Sequence, residues 1–161
     1  MKRLILVRHG KSSWKQDLPD HERPLKKRGY RDGNKVSKTF KEFYSPPVKV
    51  WSSPAVRALE TAKMFKDTLE ISDENFLVRQ DLYTFDAKEL MEIIKSCPDT
   101  VDKLMVFGHN PAMTNTVNTL GDKNLENLPT TGLCVIDFEN HEWKNIKDGK
   151  TIITLIPKNL R

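Results

Sequence analysis

The apolar residues of this chain come in short blocks, and most blocks end abruptly on polar or turn-forming residues. Leu4-Ile5-Leu6-Val7 is an unbroken apolar run, the pattern of a strand covered on both faces. It stops at Arg8-His9-Gly10. Residues 11–22 are polar, contain Pro19 and read as a loop. Leu25, Val36, Phe40 and Phe43 then fit one helical face, which predicts a helix running to about residue 43. Gly29 and Gly33 within it point to a close backbone contact. Pro46-Pro47 ends that segment, and Val48–Trp51 reads as a second strand. Ser53-Pro54 reads as the start of a second helix, with serine as cap and proline at the first helical position. Leu59, Ala62, Phe65 and Leu69 would form its buried side.

The second half continues the alternation. Phe76-Leu77-Val78 is a short apolar piece. Asp86 and Glu89 have the spacing of a capping box, and Leu90, Ile93, Ile94 and Cys97 the stripe of a helix that follows it. Val101–Phe107 reads as a strand ending at Gly108-His109-Asn110-Pro111, where Asn110 would cap a further helix extending to about Gly121. Gly132–Phe138, Trp143–Ile146 and Thr151–Ile156 read as strands, the last two joined by an Asp148-Gly149 turn. Strands alternate with helices first and then dominate. This predicts an α/β fold whose parallel sheet has an antiparallel portion, with neither a repeat nor a second domain.

Composition narrows the function classes. A chain of 161 residues, 37% hydrophobic and 30% charged, is that of one globular domain rather than a disordered segment. No apolar run approaches the roughly 18 residues of a membrane span. The first strand starts at once, leaving no room for a signal peptide. Cys97 and Cys134 are isolated and suit a reducing compartment, so a cytoplasmic location is expected. The net charge is +5, and many of the cations lie between Lys26 and Lys41. They suit a solvated helix face, or the steering of an anionic substrate or acidic partner. Zinc-finger spacing and the interleaving of aromatic and basic residues are both missing, which argues against nucleic acid.

The chemistry collects at the ends of the strands. Arg8 and His9 follow the first, Arg57 lies early in the second helix, and His109 follows a later strand. Ligands of open α/β sheets bind at strand C-terminal ends. Guanidinium groups match phosphoryl oxygens bidentately, and helix N-termini add amide donors. Two histidines exceed what anion binding needs, so one can be a nucleophile. Two alternatives stand beside this. Two histidines with Asp17, Asp20 or Asp81 could ligate a metal, although the arginines would repel a cation. A phospholigand-binding module without catalysis would lack the nucleophile or an arginine, and neither is missing. Trp14 could pack at the core edge or line a pocket wall.

Three motifs in order resemble the histidine phosphatase superfamily of phosphoglycerate mutase-like enzymes: Leu6-Val7-Arg8-His9-Gly10, the run from Ser52 to Ala62, and Gly108-His109. The short length, and Arg23-Pro24-Leu25 followed by Gly29, resemble its SixA-type phosphohistidine phosphatase branch. The resemblance implies a three-layer α/β/α sandwich with a mixed, mostly parallel sheet, spanning residues 1–161 as one domain. It implies a metal-independent enzyme with no cofactor, in which His9 is the nucleophile that becomes phosphorylated. Arg8 and Arg57 would hold the phosphoryl oxygens, with Arg23 as a further substrate contact, and His109 would stabilise the transferring group. Asp81 is nearest in chain order to the family's carboxylic acid, although many relatives carry glutamate there. The expected substrate is a phosphohistidine on another protein, acted on by a monomer. A small-molecule phosphomonoester, or transfer between glycerate phosphates, is the alternative.

Overall fold

Unbroken apolar runs become inner strands, and amphipathic stretches become helices that cover them. The computed structural model describes residues 1–161. In chain order the elements are β1 (Lys2–Arg8), α1 (Lys27–Lys41), β2 (Lys49–Ser52), α2 (Val56–Thr68), β3 (Phe76–Val78), α3 (Ala87–Lys95), β4 (Lys103–Gly108), α4 (Ala112–Leu120), β5 (Leu133–Phe138) and β6 (Lys150–Leu155). The strands form one six-stranded sheet in the order β3-β2-β4-β1-β5-β6. The first four in that order run parallel, and β5 and β6 are antiparallel to their neighbours. This is the α/β/α sandwich with a mixed, mostly parallel sheet that the sequence led one to expect.

Each strand feeds two cores because successive side chains alternate between faces. Ile5, Val7, Met105, Phe107 and Val135 pack with Val36 and Phe40 of α1 and Ala62 and Phe65 of α2. Leu4, Leu6, Leu104, Val106 and Ile136 face the other way, onto Leu90 and Ile94 of α3 and Met113 and Val117 of α4. Leu4 to Val7 are each at most 2% exposed, as expected of a strand covered on both faces. The close contact at Gly33 is with α2: a Cβ there would meet the Met64 side chain. None of the helices is long and apolar enough to cross a membrane.

Several boundaries differ from the sequence reading. Trp143–Asn145 form a short 3₁₀ turn that Ile146 ends, not a strand. Trp143 is fully buried and donates its ring N–H to the Val101 carbonyl at 2.7 Å, so it is drawn into the α3/α4 core rather than left on a sheet surface. β5 and β6 therefore pair directly across a long connection. α1 ends at Lys41, which leaves Phe43 48% exposed. α2 begins at Val56, with Ala55 at the cap position. α4 begins at Ala112, although Asn110 Oδ1 still accepts the Thr114 amide at 3.0 Å.

The consequence for function lies at one edge. β1, β4 and β2 are adjacent and parallel, with Arg8 opposite Gly108 and Ser52 opposite Phe107. Their next residues, His9, His109 and Ser53, therefore leave the sheet side by side. The His9 amide donates to the Gly108 carbonyl, and the Ser53 amide to the Phe107 carbonyl, each at 3.1 Å.

Candidate active site

His9 is 7% exposed and held by its neighbours rather than by solvent. Its Nδ1 lies 2.7 Å from the Gly10 carbonyl oxygen, an acceptor, so Nδ1 carries the proton. The other nitrogen, Nε2, then presents a lone pair, and Arg57 Nε donates toward it at 3.4 Å. Burial pushes the His9 pKa down to about 4, with Arg57, Arg8 and Arg23 acting in the same direction against the pull of the Gly10 carbonyl. At neutral pH the imidazole is uncharged and its free nitrogen is a nucleophile.

The turn after His9 is close-packed. A Cβ at Gly10 would lie 3.1 Å from Leu25 Cδ2 and 3.3 Å from Gly29 Cα. The Gly10 amide donates to Thr61 Oγ1 at 2.9 Å, and that hydroxyl donates to the Arg57 carbonyl. Thr61 thus ties the nucleophile's turn to the first turns of α2.

His109 is 1% exposed, and its ring centroid lies 5.3 Å from that of His9. Its Nε2 is 2.8 Å from Ser53 Oγ. The Ser53 hydroxyl, which accepts the Ala55 amide, can also donate to His109 Nε2, and in that arrangement His109 carries its proton on Nδ1. That Nδ1–H is buried without a protein partner. Burial, then the nearby His9 and Arg57, depress the His109 pKa to about 3. Arg8 donates through Nη1 to the Leu128 carbonyl, while its Nε is likewise buried and unanswered. Two orphaned donors beside a lone-pair nitrogen and a buried arginine form a cradle for an oxyanion.

Arg57 is 2% exposed, and its far end is held by Asp20. Nη1 donates to the Asp20 carbonyl at 2.7 Å and Nη2 to the Asp20 carboxylate at 2.9 Å. The same carboxylate accepts the Tyr83 hydroxyl at 2.5 Å and Arg23 Nε at 3.2 Å. Its burial would raise the Asp20 pKa, but the Tyr83 and Arg57 hydrogen bonds and the charges around it hold it well below the usual carboxylate range. Arg23 also donates to Ser12, and its guanidinium lies 3.5 Å from the centroid of the Trp14 ring. Trp14 is 75% exposed, so it does not pack at the core edge.

Arg8, His9, Arg57 and His109 are thus brought together, with Arg23 joined to them through Asp20. Asp81 is not among them. It forms a two-point ion pair with Arg79 at 2.7 and 3.0 Å on an exposed turn, and has no hydrogen bond to the other five. Sequence reasoning took Asp81 for the acid and passed over Tyr83, two residues later, which reaches the cluster. It named Asp20 only as a charged loop residue and as an option for metal. The Asp20-x-x-Arg23 spacing, which puts opposite charges one turn apart, was the available signal. No group of three or more His, Cys, Asp or Glu side chains is placed to hold a metal ion. Phe85, also unforeseen, is 46% exposed and packs against the His109 ring at 5.3 Å.

Known proteins resemble the chain in sequence and in fold. The model of the histidine phosphatase superfamily (branch 1) matches residues 4–112. An uncharacterized chloroplastic protein of Arabidopsis thaliana is 29% identical over 153 residues, covering 89% of this chain and 69% of its own. The fold matches that of a putative phosphohistidine phosphatase SixA from Agrobacterium tumefaciens, with TM-score 0.82, 23% identity and coverage of 97% and 98% of the two chains. It also matches a protein histidine phosphatase SixA complexed with tungstate, with TM-score 0.83, 19% identity and 99% of each chain. A phosphoserine phosphatase from Entamoeba histolytica matches less closely, with TM-score 0.67, 16% identity and 100% of each chain.

Proposed function

The chain belongs to the histidine phosphatase superfamily, branch 1, and from that premise we propose that it hydrolyses phosphohistidine on a protein through a covalent phosphohistidine at His9. The observation that carries this reading is the contact of His9 Nδ1 with the Gly10 carbonyl oxygen. With Nδ1–H bound to the Gly10 carbonyl, the Nε2 lone pair is directed among Arg57, Arg8 and His109.

The reaction runs in two displacements. His9 Nε2 attacks phosphorus in line, and the phosphorus–nitrogen bond to the substrate imidazole, which carries a proton on its other ring nitrogen, breaks with its electron pair staying on the ring, so that neutral imidazole leaves. His9 becomes cationic while phosphorylated, and its Nδ1–H strengthens its bond to the Gly10 carbonyl. Water then attacks phosphorus, the bonding pair returns to Nε2, and the water proton leaves with phosphate. Arg57 Nε, which faces that lone pair in the resting site, then donates to an equatorial oxygen. Arg8 Nε and His109 Nδ1, the orphaned donors, take others. These are donors aimed at developing charge, which in comparable sites contribute about 3 kcal/mol each.

Two features favour phosphohistidine over phosphate esters. An ester releases an alkoxide and needs a proton from a positioned acid, whereas imidazole leaves with a proton affinity near neutrality. The carboxylate in this site, Asp20, is held ionised and cannot supply that proton. Phe85 offers a half-exposed aromatic face beside His109 on which a leaving imidazole could stack. The test is kcat/KM on a phosphohistidine peptide, a phosphoserine peptide, p-nitrophenyl phosphate and glycerate phosphates, side by side. Strong preference for phosphohistidine supports the reading. Efficient ester hydrolysis, or transfer between glycerate phosphates, replaces it with the small-molecule alternative.

A further inference from the structure

Three of the five N–H donors of the Arg57 guanidinium are used, and they are divided between its edges. The end edge, Nη1 with Nη2, is occupied by the carbonyl and the carboxylate of Asp20. The side edge, which begins at Nε, faces His9 Nε2 at 3.4 Å. A guanidinium is a rigid planar fork, so fixing one edge fixes the direction of the other. Arg57 rides on the first turn of α2 and would otherwise have several rotamers available. The Asp20 carboxylate is itself held from two further directions, by the Tyr83 hydroxyl and by Arg23 Nε. Its side chain is 41% exposed, so it is not a core filler. It draws together the 11–23 loop, α2 and the turn before α3, the segments that surround the nucleophile.

We infer that Asp20 is a positioning residue that clamps the end edge of Arg57, with Tyr83 as its brace, so that the side edge of Arg57 meets the phosphoryl group on His9. This deepens the reading of the site as a phosphoryl pocket and rests on it. The clamp has a recognisable cost. A carboxylate beside an incoming phosphoryl dianion repels it, so Asp20 weakens ground-state binding while it aligns a donor needed in the transition state. Its loss therefore separates the two kinetic constants. A packing residue or a mere placeholder on Arg57 would not give that separation, and a carboxylate held ionised by Tyr83, Arg57 and Arg23 is not an acid catalyst.

The experiment compares wild type with Asp20→Ala and Tyr83→Phe, using p-nitrophenyl phosphate as a slow, small reporter and tungstate as an oxyanion ligand. The bond from the Asp20 main-chain carbonyl to Arg57 survives substitution, so Asp20→Ala removes the carboxylate alone. The expected result is a kcat lowered roughly 100-fold, a KM equal to or below that of wild type, and a smaller loss of kcat in Tyr83→Phe. Unchanged or higher kcat with lower KM makes Asp20 a placeholder that must leave, and overturns the clamp. Loss of kcat only in proportion to loss of folded protein overturns it in favour of a structural role. A second readout does not depend on turnover: the Arg57 Nε–H signal in nitrogen-15 NMR. It should be protected from exchange in wild type and become fast-exchanging in Asp20→Ala at unchanged Tm, and equal protection in both refutes the clamp. If wild type turns over no phosphodonor yet shows the NMR difference, the proposed function fails while the clamp stands.

Discussion

A histidine placed among Arg8, Arg23 and Arg57 is kept uncharged at neutral pH, because burial and three positive charges all oppose a proton. The expected outcome is that His9, followed by carbon-13 or nitrogen-15 NMR, shows no protonation step between pH 8 and 5.5; a midpoint near 6.5 contradicts the account. The same depression links pH to stability. An unfolded histidine takes up a proton near pH 6.5, whereas folded His9 resists until about 4 and His109 until about 3. Each contribution is complete above pH 6.5 and is lost as pH falls toward the folded value, by about 1.4 kcal/mol per pH unit per group. Denaturant midpoints should decline from pH 7 to 4.5, and less steeply in a His9→Gln, His109→Gln double variant. For catalysis, His9→Ala should abolish both turnover and the labelled phosphoenzyme, while Asp81→Asn leaves kcat near wild type. Rapid turnover by His9→Ala, or a large loss in Asp81→Asn, would overturn these assignments.

At the scale of elements, the period of the apolar pattern decided most of the fold. Runs such as Leu4–Val7 and Leu104–Phe107 are too apolar for a surface and too short for a buried helix, and they became the inner strands. The position of the site was legible for the same reason, since Arg8-His9 and His109 are where such runs stop. What escaped was carried by long-range pairing. Trp143–Ile146 has the apolar ends of a short strand, yet the partners of Trp143, Asp99 and Val101, are distant in sequence. Asp20, Tyr83 and Arg57 lie in three separate segments, and only folding makes them one cluster. The expected capping box at α3 is present in altered form. The Asp86 side chain accepts the Lys88 amide, but Glu89 accepts the Thr84 hydroxyl, and that hydroxyl accepts the Asp86 amide. Both carboxylates are therefore structural. Asp86→Ala should cost about 1 kcal/mol of stability in urea unfolding and leave kcat unaltered. A substantial fall in kcat would move this turn into the active site.

The whole molecule presents its charge unevenly around the pocket. The exposed Lys11, Lys15, Lys26, Lys27 and Arg31 lie on the segments that lead away from His9 and Arg23, and none of the five forms an ion pair within the chain. The two segments touch, since the Lys26 amide donates to the Lys11 carbonyl at 2.8 Å. A small phosphate ester meets only the oxyanion cradle itself, whereas a phosphorylated protein must also lie against this rim. The field of the rim extends about 10 Å at 0.1 M salt and shortens as salt rises. Its effect therefore falls chiefly on encounter with a large anionic partner rather than on the chemical step. Raising ionic strength from 0.05 to 0.5 M, on the order of one decade, should lower kcat/KM for an acidic phosphohistidine-bearing protein several-fold more than for p-nitrophenyl phosphate, with kcat little affected in either case. The Lys26→Glu, Lys27→Glu double variant should reproduce the loss at low salt and abolish most of the salt dependence, while p-nitrophenyl phosphate hydrolysis stays near wild type. Equal salt slopes for the two substrates, or an unchanged slope in the double variant, would remove the rim from recognition and favour a small-molecule substrate.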